Sequence, residues 1–246
     1  MHLSIKAQYK ELFTRYKRLL AIGCALMVFQ QLSGICIAIN YGPTLIEYAG
    51  FDTKEIDEEK AAVILSLPLS FVRTLGTFIA ISVVDTRGRR KILLRTVPIL
   101  SITMILISIF TWMNLQGETG VLHDVGKWGA LISMVLFLAT YSSGMATIPW
   151  LINSEIYPIF LVGTASSIAA FTNWMSNFVM TSAFFVSNYV VTLAVTGGIS
   201  ILCWFFVYFC LKETRGNTIR KNVALLLNKT QLDANKMVDK SQAKVF

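Results

Sequence analysis

The chain holds 246 residues, 54% of them hydrophobic and only 15% charged, and its mean hydropathy is +0.60. These values exclude an ordinary soluble domain of this length and fit a polytopic membrane protein. The formal net charge of +8 does not indicate a nucleic-acid partner, because Lys and Arg lie in short segments separated by apolar runs.

Residues 1–18 are basic and amphipathic and lack the pattern of a cleavable signal peptide, so they read as a cytosolic segment. Six apolar runs follow near 20–48, 61–84, 92–113, 128–151, 164–187 and 188–211. Each can cross a hydrocarbon core of ~30 Å as about 20 helical residues, and none shows the alternation of a membrane β-strand. The expected fold is an all-α membrane protein, with six transmembrane helices over 19–211 packed as one bundle. A cytosolic tail is expected over 212–246, its lysine-rich part from 219 on either solvated or lying on the lipid surface. Eighteen Lys and Arg fall in 1–18, 85–95 and 212–246, against three in 49–60 and 114–127. That bias predicts both termini in the cytosol, whether the membrane is the plasma membrane or an internal one.

The first run carries Gln30-Gln31-Leu32-Ser33-Gly34, polar groups at a depth where lipid favours Leu or Val. Such groups face a protein-lined cavity rather than lipid. In the second run Arg73 lies twelve residues before Asp85, roughly 18 Å along a helix. It reads either as a satisfied structural arginine or as a contact to the solute, which would then be anionic. The loop Asp85-Thr86-Arg87-Gly88-Arg89-Arg90-Lys91 joins the second and third runs; Gly88 permits a tight turn and the basic cluster can grip nearby carboxylates.

The fourth run ends in Gly144-Met145-Ala146-Thr147-Ile148-Pro149-Trp150, followed by Asn153 and Glu155. Pro149 is expected to kink the helix, and Trp150 either closes over a ring-shaped polyol or anchors the helix at the interface. Glu155 is placed to pair with Arg89 or Arg90. In the fifth run Asn173 and Asn177 share a helix face; they either bridge vicinal hydroxyls or bond a neighbouring helix. After the sixth run comes Lys212-Glu213-Thr214-Arg215-Gly216. The four cysteines lie within spans without a CxxC pair, and His2 and His123 stand apart, so neither a disulfide framework nor a metal site is expected. No enzymatic constellation and no cofactor motif appears.

Taken together, QQLSG, DTRGRR, IPWLINSEIYP, NWMSNF and KETRGNT occur in the order and helix positions of a known family. From about residue 10 to 220 the chain resembles the C-terminal six helices of a major facilitator superfamily sugar porter. GMATIPWLINSEIYP and INYGPTLIEYAGF are most similar to the proton-coupled myo-inositol transporters. The resemblance implies transport of a sugar or polyol, a hexose or myo-inositol, by alternating access, with protons as the candidate coupling ion. It implies a central site lined by Gln30, Gln31, Trp150 and Asn177, with Tyr141 packing on the sugar and a gate near Asn40 and Tyr41. An inner charge latch would form among Asp85, Arg89, Arg90, Glu155, Glu213 and Arg215. Four positions depart from the family: Cys36 and Arg73 each stand where Asn is usual, Asn40 where Tyr is usual, and Lys212 where Pro is usual. The partners implied are the lipid bilayer and an N-terminal six-helix half or another copy, because the family works as two bundles. The alternative reading is a non-transporting solute sensor or assembly partner made from a truncated transporter.

Overall fold

Lipid offers backbone groups no hydrogen-bond partner, so apolar runs of this length satisfy their own N–H and C=O groups as helices. A computed structural model describes residues 4–40, 42, 58–116 and 120–243, and among them there is no strand. The amphipathic α1 (Ile5–Thr14) leads into α2 (Lys17–Gln30), which passes through a π-helical turn at Gln31–Ile35 into α3 (Cys36–Asn40). Then come α4 (Glu58–Arg87), α5 (Arg89–Gln116), α6 (Val121–Ser143), α7 (Ile148–Glu155), α8 (Ile159–Val186) and α9 (Tyr189–Cys210). Two more helices follow, α10 (Ile219–Leu227) and α11 (Gln231–Ala243).

Among the described residues, five segments are long and apolar enough to cross a membrane: 17–39, 66–87, 89–116, 121–155 and 189–210. The sixth expected span is α8. It has the length, 28 residues, but Asn173 and Asn177 lower its apolarity, so the helix that carries the amides is the one that falls short.

Two spans are broken, each beside the polar motifs. Gly34 adopts φ +94°, and a Cβ there would meet the Met104 side chain at 2.5 Å. Only glycine suits both the left-handed backbone and the close approach. The fourth span divides at residues 144–147, between α6 and α7. The break expected from Pro149 lies on the N-terminal side of its ring: Pro149 sits in the first turn of α7, and having no N–H to donate it leaves the Met145 carbonyl to another partner.

Packing places α5 between α6 and α9, α4 against α6, and α2 against α8. Small residues let α5 and α9 approach closely, so that Ser101 Oγ donates to the Gly197 carbonyl at 2.7 Å and Ser108 Oγ to the Val190 carbonyl at 2.7 Å. Asn153 and Tyr157 clasp α2: Asn153 Nδ2 donates to the Gly23 carbonyl at 3.3 Å, and the Tyr157 hydroxyl donates to Asn153 Oδ1 at 3.1 Å. Large side chains such as Phe71, Phe78, Phe171 and Phe178 are exposed, as faces against lipid or another helical bundle require.

The C-terminal segment differs from the solvated or lipid-surface tail expected of it. Val223, Leu226, Ala234 and Val238 are buried, so α10 and α11 pack rather than float. The lysine-rich composition concealed two short amphipathic helices whose few apolar positions share a face. Thr218 caps α10, Asn228 ends it in the left-handed conformation, and Arg220 pairs with Asp239 at 2.9 Å.

Candidate functional site

The π-helical turn sets Gln30 and Gln31 on the inside of the bundle, where they are 3% and 9% exposed. A break in α6–α7 leaves carbonyls without intrahelical partners, and Gln30 Nε2 donates to two of them, Met145 at 2.8 Å and Ala146 at 3.0 Å. From α8, Asn173 Nδ2 donates to Gln30 Oε1 at 2.7 Å and to the Met27 carbonyl at 3.1 Å. Gln31 Nε2 donates to Asn173 Oδ1 at 2.9 Å, and Asn177 Nδ2 donates to Gln31 Oε1 at 3.1 Å. Four amides thus form one chain from the α6–α7 break to α8.

This chain separates the two readings left open for the asparagines. Asn173 is 1% exposed and spends its groups on neighbours, so it holds helices together. Asn177 ends the chain, half-buried, with no bond to its Oδ1 among the described residues. Each amide carries two donors and an acceptor, so Asn177 has groups left to offer.

The open end faces a cavity of about 370 Å³. Gln30, Gln31, Arg73, Tyr141, Trp150, Asn173 and Asn177 all line it, bringing together every expected solute contact except Asn40 and Tyr41. Tyr41 and the Asn40 side chain lie outside the described residues. Trp150 and Trp174 present exposed indoles, while Tyr141 is buried with its ring centroid 5.9 Å from that of Phe137. Trp174 and Cys36 complete much of the wall. Sequence reasoning gave Trp174 no role, although its place beside Asn173 was the available signal.

Arg73 is half-buried and lines the same cavity, 14 residues before the end of α4. An arginine at the centre of a bilayer costs roughly 2.5–3.5 kcal/mol on insertion scales. Among the described residues no carboxylate pairs with it. No cluster of three metal-ligating side chains occurs among the described residues either.

At the cytosolic ends predicted from charge, the latch residues meet. Arg89 Nη2 lies 2.9 Å from Glu155 Oε1, and its Nη1 lies 3.1 Å from Asp85 Oδ1. Glu155 Oε2 accepts from Thr214 Oγ1 at 2.7 Å, and its backbone carbonyl accepts from Asn222 Nδ2 at 3.2 Å. The Glu213 carboxylate sits at the start of α5, where Oε1 accepts from the Arg89 N–H at 2.9 Å and the Arg215 N–H at 3.2 Å. That position favours a negative charge. Arg215 Nη1 also donates to the Thr86 carbonyl. Of the two arginines offered as partners for Glu155, Arg89 pairs with it and Arg90 bonds elsewhere: its Nη2 donates to the Tyr208 carbonyl at 2.8 Å, and the guanidinium lies 5.7 Å from the Tyr208 ring centroid. Adjacent residues on a helix point about 100° apart, so only one of the two arginines faces Glu155. Thr214 and Asn222 bond Glu155 without having been revealed by the charge pattern, because neither carries charge.

Residues 1–224 match the family model described as "Sugar (and other) transporter". The chain belongs to that family. The chain is 31% identical over 223 residues to Membrane transporter D1 of Leishmania donovani, covering 89% of the chain and 39% of the relative. It is 30% identical over 236 residues to Myo-inositol transporter 1 of Saccharomyces cerevisiae, covering 92% and 39%. Among solved structures, the inward-open xylose transporter XylE of E. coli superposes with a TM-score of 0.68 at 22% identity, covering 88% of this chain and 44% of XylE. The fold is therefore the one XylE adopts over the matched part, and the family together with the apolar helices makes the chain an integral membrane protein. It spans less than half the length of these relatives.

Proposed function

We propose that this chain supplies one six-helix bundle, corresponding to a sugar porter's C-terminal half, to a transporter of sugars or polyols of hexose or inositol size. The bundle works by alternating access against a second six-helix bundle, in the same polypeptide or in another chain, with protons as the candidate coupling ion. The observation that carries this reading is the cavity in which Gln31, Asn177 and Trp150 converge at membrane depth. The amide chain holds Gln31 and Asn177 in place before solute arrives, which reduces the ordering cost of binding. Their free groups suit paired hydroxyls, and an indole face suits the apolar side of a sugar ring. Tyr141 closes the cavity behind the ring, and the resemblance assigns the gate to Asn40 and Tyr41. The latch through Arg89 and Glu155 holds the cytosolic ends together, and its release opens that side. The positive-inside bias favours cytosolic termini for 1–18 and 212–246 and a membrane-embedded 19–211.

Binding tests this directly. Titrating the detergent-solubilised chain with D-glucose and myo-inositol should quench tryptophan fluorescence saturably, and Trp150→Phe should remove most of the signal. Equal, unsaturable responses to both sugars and to a cavity-sized solute without hydroxyls would refute the cavity as a solute site.

A further inference from the structure

Resting on that reading of the cavity, we propose that the solute is a sugar acid: a monosaccharide-sized polyol bearing one carboxylate, paired by Arg73. Arg73 is the one charged side chain among the described residues that line the cavity. No carboxylate lines it, and no ion pair engages Arg73 among the described residues. A neutral sugar is already served by Gln31, Asn177 and Trp150, and would leave the guanidinium without an ionic partner from the described part of the wall. Such a charge at membrane depth marks a counter-ion or an ionic solute, and the described residues of the cavity wall provide no counter-ion.

The charge balance selects the anion. A guanidinium is a planar fork that matches a carboxylate through two parallel N–H···O bonds. A phosphate monoester carries about −1.5 to −2 at neutral pH, and among the described residues no Lys or second Arg lines the cavity to balance the remainder. The charged donor comes from α4, whereas the neutral donors come from the π-helical turn and α8. Different elements thus address the carboxylate and the hydroxyls, as recognition of a hexuronate requires. The volume of about 370 Å³ falls in the range of small-ligand cavities.

The test compares D-glucuronate, its uncharged methyl ester, D-glucose, myo-inositol and glucose 6-phosphate on the chain in lipid nanodiscs, by calorimetry. Glucuronate should bind roughly tenfold or more tightly than the ester and the neutral sugars, the ratio expected from charge-assisted hydrogen bonds. Arg73→Gln should abolish that ratio while Arg73→Lys keeps part of it. Glucose or myo-inositol binding as tightly as glucuronate to the unaltered chain would overturn the inference and leave the sugar cavity standing. A ratio unchanged in Arg73→Gln would overturn it too, as would tighter binding of glucose 6-phosphate. Binding of none of the five would overturn both this inference and the reading of the cavity on which it rests.

Discussion

Replacing Gly88 by alanine tests the latch at its tightest point. Gly88 has φ +89°, and a Cβ there would lie 2.7 Å from Glu213 Oε2 and 2.8 Å from its carboxyl carbon. The left-handed backbone alone costs an L-residue about 1–2 kcal/mol. The new methyl also drives the carboxylate away from the Arg89 and Arg215 N–H groups that it accepts at 2.9 and 3.2 Å. A hydrogen bond to a charged group contributes about 1.5–3 kcal/mol. Because Glu213 is half-buried, the low end applies, giving a total of about 3 kcal/mol. Gly216 provides the control: it too has positive φ, at +68°, but a Cβ there meets nothing within 4 Å. Gly216→Ala should therefore cost about 1 kcal/mol, the strain alone. Reversible unfolding in mixed micelles should separate the two variants by a factor of roughly 30 in the unfolding equilibrium, the ratio that about 2 kcal/mol sets. Equal losses in both variants would refute the claim that Gly88 is required for the Glu213 contact.

The other expectations follow from the same bonds. Arg89→Ala leaves Glu155, half-buried with its Oε1 vacated, and should lower unfolding stability by about 2 kcal/mol, between the values for exposed and buried pairs. Arg90→Ala loses a carbonyl bond and a ring contact at an exposed position and should cost about 1 kcal/mol or less; the reverse order would contradict the assignment of Arg89 as the partner of Glu155. Asn173→Leu strands Gln30 Oε1 and Gln31 Nε2 in the core and should destabilise the bundle by about 2–4 kcal/mol. Asn177→Leu orphans only Gln31 Oε1 at the cavity edge and should cost about 1 kcal/mol, less than Asn173→Leu, yet weaken sugar binding roughly tenfold, so a titration showing wild-type affinity would remove Asn177 from the solute site.

Membrane spans were legible because apolar length is a property of sequence alone, and the polar interruptions within them marked the cavity wall. Gln31, Trp150 and Asn177 stood out because such groups are expensive in lipid unless they serve something. What remained hidden depended on backbone geometry. No composition signal shows that the first span makes a π-helical turn at QQLSG, or that the break at Pro149 spreads over residues 144–147. The split duty of Asn173 and Asn177 was equally unreadable: both share one helix face, and only the register against Gln30 and Gln31 decides which is spent on packing. Thr214 and Asn222 bond Glu155 without carrying charge, and the buried face of α10 and α11 was masked by the lysines around it.

Labelled-solute uptake into proteoliposomes tests most directly whether this bundle is one wall of a two-bundle site. The 246-residue chain reconstituted as a demonstrated monomer should give no saturable uptake of glucose, myo-inositol or glucuronate. Co-reconstitution with a second six-helix bundle from a sugar porter should give saturable uptake that Asn177→Leu reduces. Saturable uptake by the monomer alone would contradict the account, because a cavity walled on one side cannot open alternately to the two faces of the membrane.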